Sequence, residues 1–523
     1  MSRVSPLRRW RAHPYAVVVP SLVVIAVTYL AVAGFAIATL PWEGTADAYD
    51  HLDYMVQLAS GQLPQPFGHV FAPTGTSFGA NRVEGRQYAS AHPPLFYALA
   101  VAVAGPLLDV EHWRIGVAIV RTLNVLVGLA GVGVLSWAGW TIGGRRRVAL
   151  AIALPAVGAF TFGYLRFSAE IYNDLLVTVL SMTAIAIACR MLVSRVTWPW
   201  LIALVAVCAL GMGAKATFIL TLGLCTVAVA TAILMGTGLR RGSGYLRAVG
   251  AAVLVFVVPF AVWGWFYLRN LALSGDWYRS TPKSPVGTRS NRTLLSNLLD
   301  PDFYTIVPRG LVGRGSAEMA HLATQASVVI FTFGAAVSLV AAVIVLVRRR
   351  WRLELRTWAI IGLLAAHLLG SYALQLSHST GYGAYNWRYF LPATITIAII
   401  LAGGIAVAGR AAAVLVPVMT AALAATNMTS FVEYGSTIWP KRGPSDDLVI
   451  AAAQLIGANG LPPWLLVVFI ATAVGGIVAL GFTFSAALQR ESETTGSIGS
   501  DGSGDAGAPA PSVPDGAKAA SSA

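Results

Sequence analysis

The run YAVVVPSLVVIAVTYLAVAGFAIATL, residues 15–40, contains no Asp, Glu, Lys or Arg. About 20 apolar residues are enough for a helix to cross the ~30 Å hydrocarbon core of a bilayer. The run is too long for the apolar part of a secretion signal and lacks a convincing cleavage site, so it reads as a retained first span. Arg3, Arg8, Arg9 and Arg11 precede it. Positive charge gathers on the cytoplasmic side, which places the N-terminus inside and Leu40 outside.

Similar runs follow at about 115–142, 148–166, 171–190, 198–214, 216–236, 248–268, 324–347, 356–376, 388–408, 411–427 and 463–486. Of the 523 residues, 56% are hydrophobic and 11% charged. A soluble domain carries about 25% charged residues, so this chain cannot cover itself with a water-facing surface. The expected fold is an all-α polytopic membrane protein with about 12 (11–13) transmembrane helices and external amphipathic loop helices. The net charge of +14 is not a nucleic-acid footprint, because most arginines sit in short clusters between apolar runs. Pro94–Leu108 is apolar but short, and is expected to lie along the surface. Arg145–Arg147, Arg190/Arg195, Arg240/Arg241/Arg247, Arg348–Arg350 with Arg352, and Arg410 then all fall inside. A crossing there would invert every later segment.

The chain divides into a cytoplasmic basic N-terminus (1–14), a transmembrane domain (15–488) and a tail (489–523). The external loops are 41–113, with juxtamembrane helices, then 270–321 and 428–461. The tail is rich in Gly, Ser, Ala and Pro and is expected to be disordered in the cytoplasm. In the first loop, residues 47–60 place Leu52, Met55, Val56 and Ala59 on one helical face, with Gly61 as the stop. That helix is expected to lie on the membrane surface. Cys189, Cys208 and Cys225 lie in apolar runs without metal-ligand or disulfide spacing, and read as core residues. The Ala, Val, Gly and Arg bias points to a GC-rich bacterial genome, hence to a bacterial plasma membrane.

Charge at a membrane boundary is costly and marks candidate sites. Asp47, with Asp50 and His51, stands just outside the first span, where a carboxylate can act as general base on a hydroxyl. A favourable acidic helix N-terminus is the alternative reading. His92, before Pro93-Pro94, is held at a fixed height by two restrained residues, or is simply an exposed turn residue. Asn173-Asp174 opens an apolar run, a position that also suits any helix start. Lys215 is a lone external lysine, fit to bind phosphate as a point charge or to snorkel. Arg269, after Trp263–Leu268, and Arg388 with Tyr389 lie at aromatic boundaries. They fit a phosphate clamp or interfacial anchors. Walker, Rossmann, HExxH and serine-elbow motifs are absent.

In this order the six stations resemble the GT-C superfamily of membrane glycosyltransferases, nearest the protein-O-mannosyltransferase and lipid A aminoarabinose transferase branch. The stations are Asp47-Ala48-x-x-His51, His92-Pro93-Pro94-Leu95, Asn173-Asp174, Lys215, Trp265-x-Tyr267-x-Arg269-Asn270 with Gly275-Asp276, and Arg388-Tyr389-x-Leu391-Pro392. Together they reach from about Pro20 to Pro392. The family's acidic pair is reduced here to Asp47, because Ala48 stands where Glu is usual. That departure weakens any metal-binding or two-carboxylate role.

The resemblance implies a transferase that takes a sugar from a polyprenyl-phosphate donor in the bilayer and passes it to an acceptor on the external face. Asp47 would be the base and the reaction would invert the anomeric centre. Lys215, Arg269 and Arg388 would hold the donor phosphate. Asp50, His51, His92, Asn173, Asp174 and Tyr389 would bind substrate. No cofactor is implied, and a divalent metal stays open. The acceptor is a glycan, lipid, protein or metabolite. A transporter or lipid flippase, and an inactive accessory subunit of cell-envelope assembly, are the competing readings.

Overall fold

The computed structural model describes residues 14–42, 47–66, 87–109, 111–237, 242–277, 293–304, 321–348, 353–382, 385–406, 408–438, 445 and 447–500. The expected basic N-terminus, Arg240, Arg241, Arg349, Arg350, Arg352 and the tail beyond 500 lie outside these residues, as do parts of each external loop.

The first span, α1 (Val19–Thr39), starts with Pro20 in its first turn, where a missing N–H removes no helix bond. Two short helices follow, α2 (Ala48–Ala59) and α3 (Leu95–Ala104), then the long α4 (Trp113–Ile142). Trp42, after α1, and Trp113, which opens α4, have ring centroids 5.0 Å apart. The chain between them therefore leaves and returns at one end of the bundle, and α3 does not cross. This is the arrangement expected for Pro94–Leu108.

Helices α5 (Arg147–Gly158) and α6 (Phe162–Ser168) form a pair bent by 66°. Pro155 lies inside α5, and prolines of this kind release a backbone bond and kink a helix. The carbonyls near the bend find side-chain donors. Thr420 donates to Ala156 O at 2.8 Å, and Asn427 donates to Phe160 O. Backbone at membrane depth is tolerated only with such partners.

The chain continues through α7 (Asp174–Val193), α8 (Trp198–Ala214), α9 (Ile219–Thr237) and α10 (Gly242–Ser274). A short loop helix, α11 (Leu294–Leu299), precedes α12 (His321–Arg348) and α13 (Leu355–Tyr382). A 3-10 segment, Trp387–Ala393, runs into α14 (Thr394–Ala406). The last helices are α15 (Ala412–Ile438), α16 (Leu448–Ala458) and α17 (Leu465–Ser500).

Among the described residues, nine helices are long and apolar enough to cross a membrane, or ten if the bent pair is one span. Trp198–Ala214 and Val328–Ile344, also expected as spans, are apolar but shorter. The all-helical polytopic fold is as expected, with nine or ten spans of that length against the twelve counted from sequence.

Three local expectations change. The loop placed at 428–461 is largely helical, because α15 runs on to Ile438 and α16 follows. Ser430 and Glu433, placed in that loop, are buried in the bundle, as is Asn427 at the expected end of the span. The helix α17 continues through Gln489 to Ser500. Finally, α2 does not lie half-exposed on a surface: its polar Asp50, His51, Asp53 and Gln57 are all buried. Gln87 covers that side, donating to Asp53 Oδ2 and to Asp50 O. The helix does stop where expected, with Gly61 at φ 77°, a conformation natural to glycine.

The core is a close stacking of α1 on α17, α4 on α5 and α7, and α8 and α9 each on α10. Small residues set the spacing, as is usual between membrane helices. A Cβ at Gly128 of α4 would collide with the Tyr29 hydroxyl, which donates to Ser168 Oγ at 2.7 Å. One at Gly131 would meet the Tyr164 hydroxyl, which donates to Gly128 O at 2.6 Å. The three cysteines are buried and free.

Candidate active site

Helix ends deliver the candidate residues to one end of the bundle. Asp47 is the residue before α2, and its side chain makes no capping bond to that helix. It turns instead to Arg388, 341 positions away, whose Nη1 donates to Asp47 Oδ2 at 2.9 Å. An N-cap aspartate that forgoes the cap gives up roughly 1 kcal/mol of helix stability. A plain helix start does not account for Asp47.

The same holds at the next station. Asn173 precedes α7 without capping it, and its amide donates to Ala214 O at 2.8 Å. Asp174, in the first turn, accepts from Lys215 Nζ at 2.6 Å. The two pairs differ in access. The Lys215 and Asp174 side chains are 9% and 4% exposed, whereas Arg388 and Asp47 are 26% and 33% exposed. The second pair is the more open to solvent, and Asp174 is the more buried member of the first.

His51 and His92 lie near both pairs. Their rings stack at 5.8 Å. His51 Nδ1 and the Tyr97 hydroxyl are 2.8 Å apart, and the Tyr172 ring stands edge-on to His51 at 4.2 Å. Burial pushes His51 well below the usual histidine range, and His92, Lys215 and Arg388 add to the effect. Burial also lowers His92, helped by Lys215 and Arg388 and opposed by Asp47. Both imidazoles are therefore neutral at physiological pH. Because Asp47, Lys215 and Arg388 all act on His92, the structure brings the two pairs and the two histidines into one site.

Not every expected residue joins it in the expected way. Arg269 donates to Pro64 O at 2.7 Å and to Asn270 Oδ1 at 3.2 Å. It fastens the end of α10 to the chain after α2, while the next residue, Asn270, donates to Ala91 O beside His92. Asp50 and His51 are buried inside the protein, so they shape the site from behind. The Tyr389 hydroxyl and His378 Nδ1 lie 2.9 Å apart. Among the described residues, no group of three or more His, Cys, Asp or Glu is disposed to hold a metal ion.

Several site residues escape the sequence reading. Arg166 pairs with Glu170 at 2.8 Å, donates to the Tyr434 hydroxyl at 2.9 Å and lies over the Trp387 ring, next to Arg388. Arg121 and Asn124 of α4 reach the link between α6 and α7. The signal was present: Arg121 and Arg166 are single charges inside apolar stretches, the same cue that singles out Lys215.

No family model matches the chain, and no curated protein matches it. Among solved structures it is similar to ArnT from Cupriavidus metallidurans bound to undecaprenyl phosphate, with 14% identity over 94% of this chain and 80% of that one and a TM-score of 0.46. It is also similar to the archaeal oligosaccharyltransferase AglB from Archaeoglobus fulgidus in complex with an inhibitory peptide and a dolichol-phosphate. There the identity is 14%, over 90% of this chain and 56% of that one, with a TM-score of 0.41. A third is the arabinosyltransferase EmbB from Mycobacterium smegmatis, at 13% identity over 91% of this chain and 42% of that one, with a TM-score of 0.38. These are GT-C glycosyltransferases, the superfamily the sequence resembles. The likeness is one of fold only and gives no residue of this chain a role.

Proposed function

We propose that this protein is a membrane glycosyltransferase that moves a sugar from a polyprenyl-phosphate donor to an acceptor hydroxyl. Asp47 takes the hydroxyl proton as the acceptor oxygen bonds to the anomeric carbon. The bond from that carbon to the donor phosphate breaks, and its electron pair leaves on the phosphate oxygen. A single displacement inverts the anomeric centre. Lys215 and Arg388 stabilise the departing phosphate, as fixed charges do where negative charge develops.

The observation that supports this best is the Asp47–Arg388 pair. As Asp47 is protonated it stops competing for Arg388, and at that moment the phosphate gains charge. The guanidinium has five N–H donors in a planar fork, so it can turn from carboxylate to phosphate without leaving its place. The donor's lipid tail lies in the bilayer, which accounts for an embedded enzyme. The site sits at the end of the bundle away from Arg145–Arg147, Arg190 and Arg410, which the positive-inside rule makes external.

The test uses purified full-length protein in detergent with labelled polyprenyl-phosphate mannose and polyprenyl-phosphate arabinose as donors. Release of free polyprenyl phosphate is the expected result. Asp47→Asn should lower it at least about 100-fold, the lower range for general-base catalysis, while the variant stays folded. Undiminished release in that variant removes Asp47 as base. Flux of sugar across vesicles with no bond broken would favour a transporter.

A further inference from the structure

Arg121 and Asn124 sit one turn apart on α4, 5% and 0% exposed. The reaction proposed above gives neither of them a chemical step, yet a charge at this depth is costly. Their partners are backbone carbonyls of two separate segments. Arg121 Nη2 donates to Leu40 O at 3.0 Å, and its Nε donates to Ala169 O. Asn124 Nδ2 donates to Glu170 O at 2.7 Å and to Tyr172 O at 3.0 Å.

Those carbonyls matter for where they lie. Leu40 closes α1, and from it the chain leaves toward Asp47. Residues 169–173 link α6 to α7 and form no regular helix, so their carbonyls need outside donors. The link carries Tyr172, which faces His51, and runs directly into Asp174, the partner of Lys215. Asn173 then ties it to Ala214, the residue before Lys215. One guanidinium thus joins the segment leading to Asp47 with the segment leading to the Lys215–Asp174 pair, and Asn124 holds the second segment rigid one turn away.

We propose that Arg121, with Asn124, is a positioning residue that fixes the base-bearing segment relative to the Lys215–Asp174 pair. The inference rests on the reading of the site as a polyprenyl-phosphate site. A lysine cannot replace the arginine here, because a point charge on a flexible stem does not bridge two carbonyls held in a fork.

The probe is undecaprenyl phosphate, and its affinity for the purified full-length protein in detergent is read by native mass spectrometry. Circular dichroism and monodispersity report folding. Arg121→Lys should keep the helix content and weaken binding about tenfold, equivalent to ~1.4 kcal/mol. A loss of packing alone could do the same, so Asp174→Asn is measured in both backgrounds. If Arg121 acts by placing the pair, Asp174→Asn changes affinity in the wild type and changes it little beside Arg121→Lys, the non-additivity of coupled sites. Equal factors in both backgrounds, or wild-type affinity in Arg121→Lys, overturn the inference. Should Arg121→Lys not fold, Asn124→Ser is put through the same cycle with the same two outcomes. A wild-type protein that does not bind undecaprenyl phosphate overturns the proposed function and this inference together. Wild-type binding with unaltered variants overturns the inference alone.

Discussion

Replacing Lys215 with Met tests how the site is held together. The Nζ to Asp174 Oδ1 distance is 2.6 Å and the two side chains are 9% and 4% exposed. Asp174 Oδ2 is buried and already lacks a hydrogen-bond partner. Removing one member of a buried ion pair leaves an uncompensated charge and typically costs ~3–5 kcal/mol. The N-terminus of α7 offsets a part of that, on the order of 0.3–1 kcal/mol for a carboxylate in the first turn. A net loss of roughly 2–5 kcal/mol is expected for Lys215→Met. Adding Asp174→Asn removes the stranded charge and should restore most of the stability, but not the binding of undecaprenyl phosphate. Asp47→Asn is the contrast: its pair is much more exposed, so it should change stability by no more than ~1 kcal/mol. Denaturant unfolding of the detergent-solubilised protein, followed by tryptophan fluorescence, measures all three. A Lys215→Met variant as stable as wild type, or a double variant as unstable as the single, would show the reasoning to be wrong.

Two other expectations are independent of catalysis. His51 is held neutral in the fold, while a solvated histidine titrates near 6.5. Below that value the unfolded chain binds the extra proton and the folded one does not, so stability should fall as pH drops through and below about 6.5 and stay level above it. Melting curves from about pH 8 to about pH 5 check the sign, and a rise on acidification would contradict it. Sidedness can be read in a background lacking Cys189, Cys208 and Cys225. A cysteine replacing the exposed Ser60 should react with a membrane-impermeant thiol reagent in intact cells, and one replacing Arg146 only after lysis. The reverse pattern would put the site in the cytoplasm.

Much of the architecture can be read from apolar run length, because a bilayer demands it of any span. The shortness of Pro94–Leu108 likewise points to a helix that leaves and returns at one end of the bundle, as the Trp42–Trp113 contact has it. The reading fails where tertiary contacts satisfy polar groups. Met428-Thr429-Ser430 looks like the start of a loop, but α15 runs on through it, and Asn427 just before it donates to Phe160 O at the bend between α5 and α6. The same limit applies in the site. Asp47, Lys215 and Arg388 are each visible as a charge out of place, but no local rule joins residues 341 positions apart. Asp50 and His51 are conspicuous for the same reason, yet Gln87 and Tyr97 enclose them, and those two residues carry no signal of their own. Arg121 does give a local cue, a single charge inside an apolar stretch, but the carbonyls it meets at Leu40 and Ala169 lie in segments that no local rule connects to it.

The two ion pairs also bear on how a turnover ends. With Lys215 and Arg388 each matched by its own aspartate, the resting site of the proposed transferase presents neither of these two cations unpaired to stray anions from the medium. In the proposed reaction, a spent lipid carrier would be displaced by two internal competitors, Asp47 and Asp174, tethered beside the cations it must surrender. Expulsion and resetting would then be one event, driven by the protein's own anions.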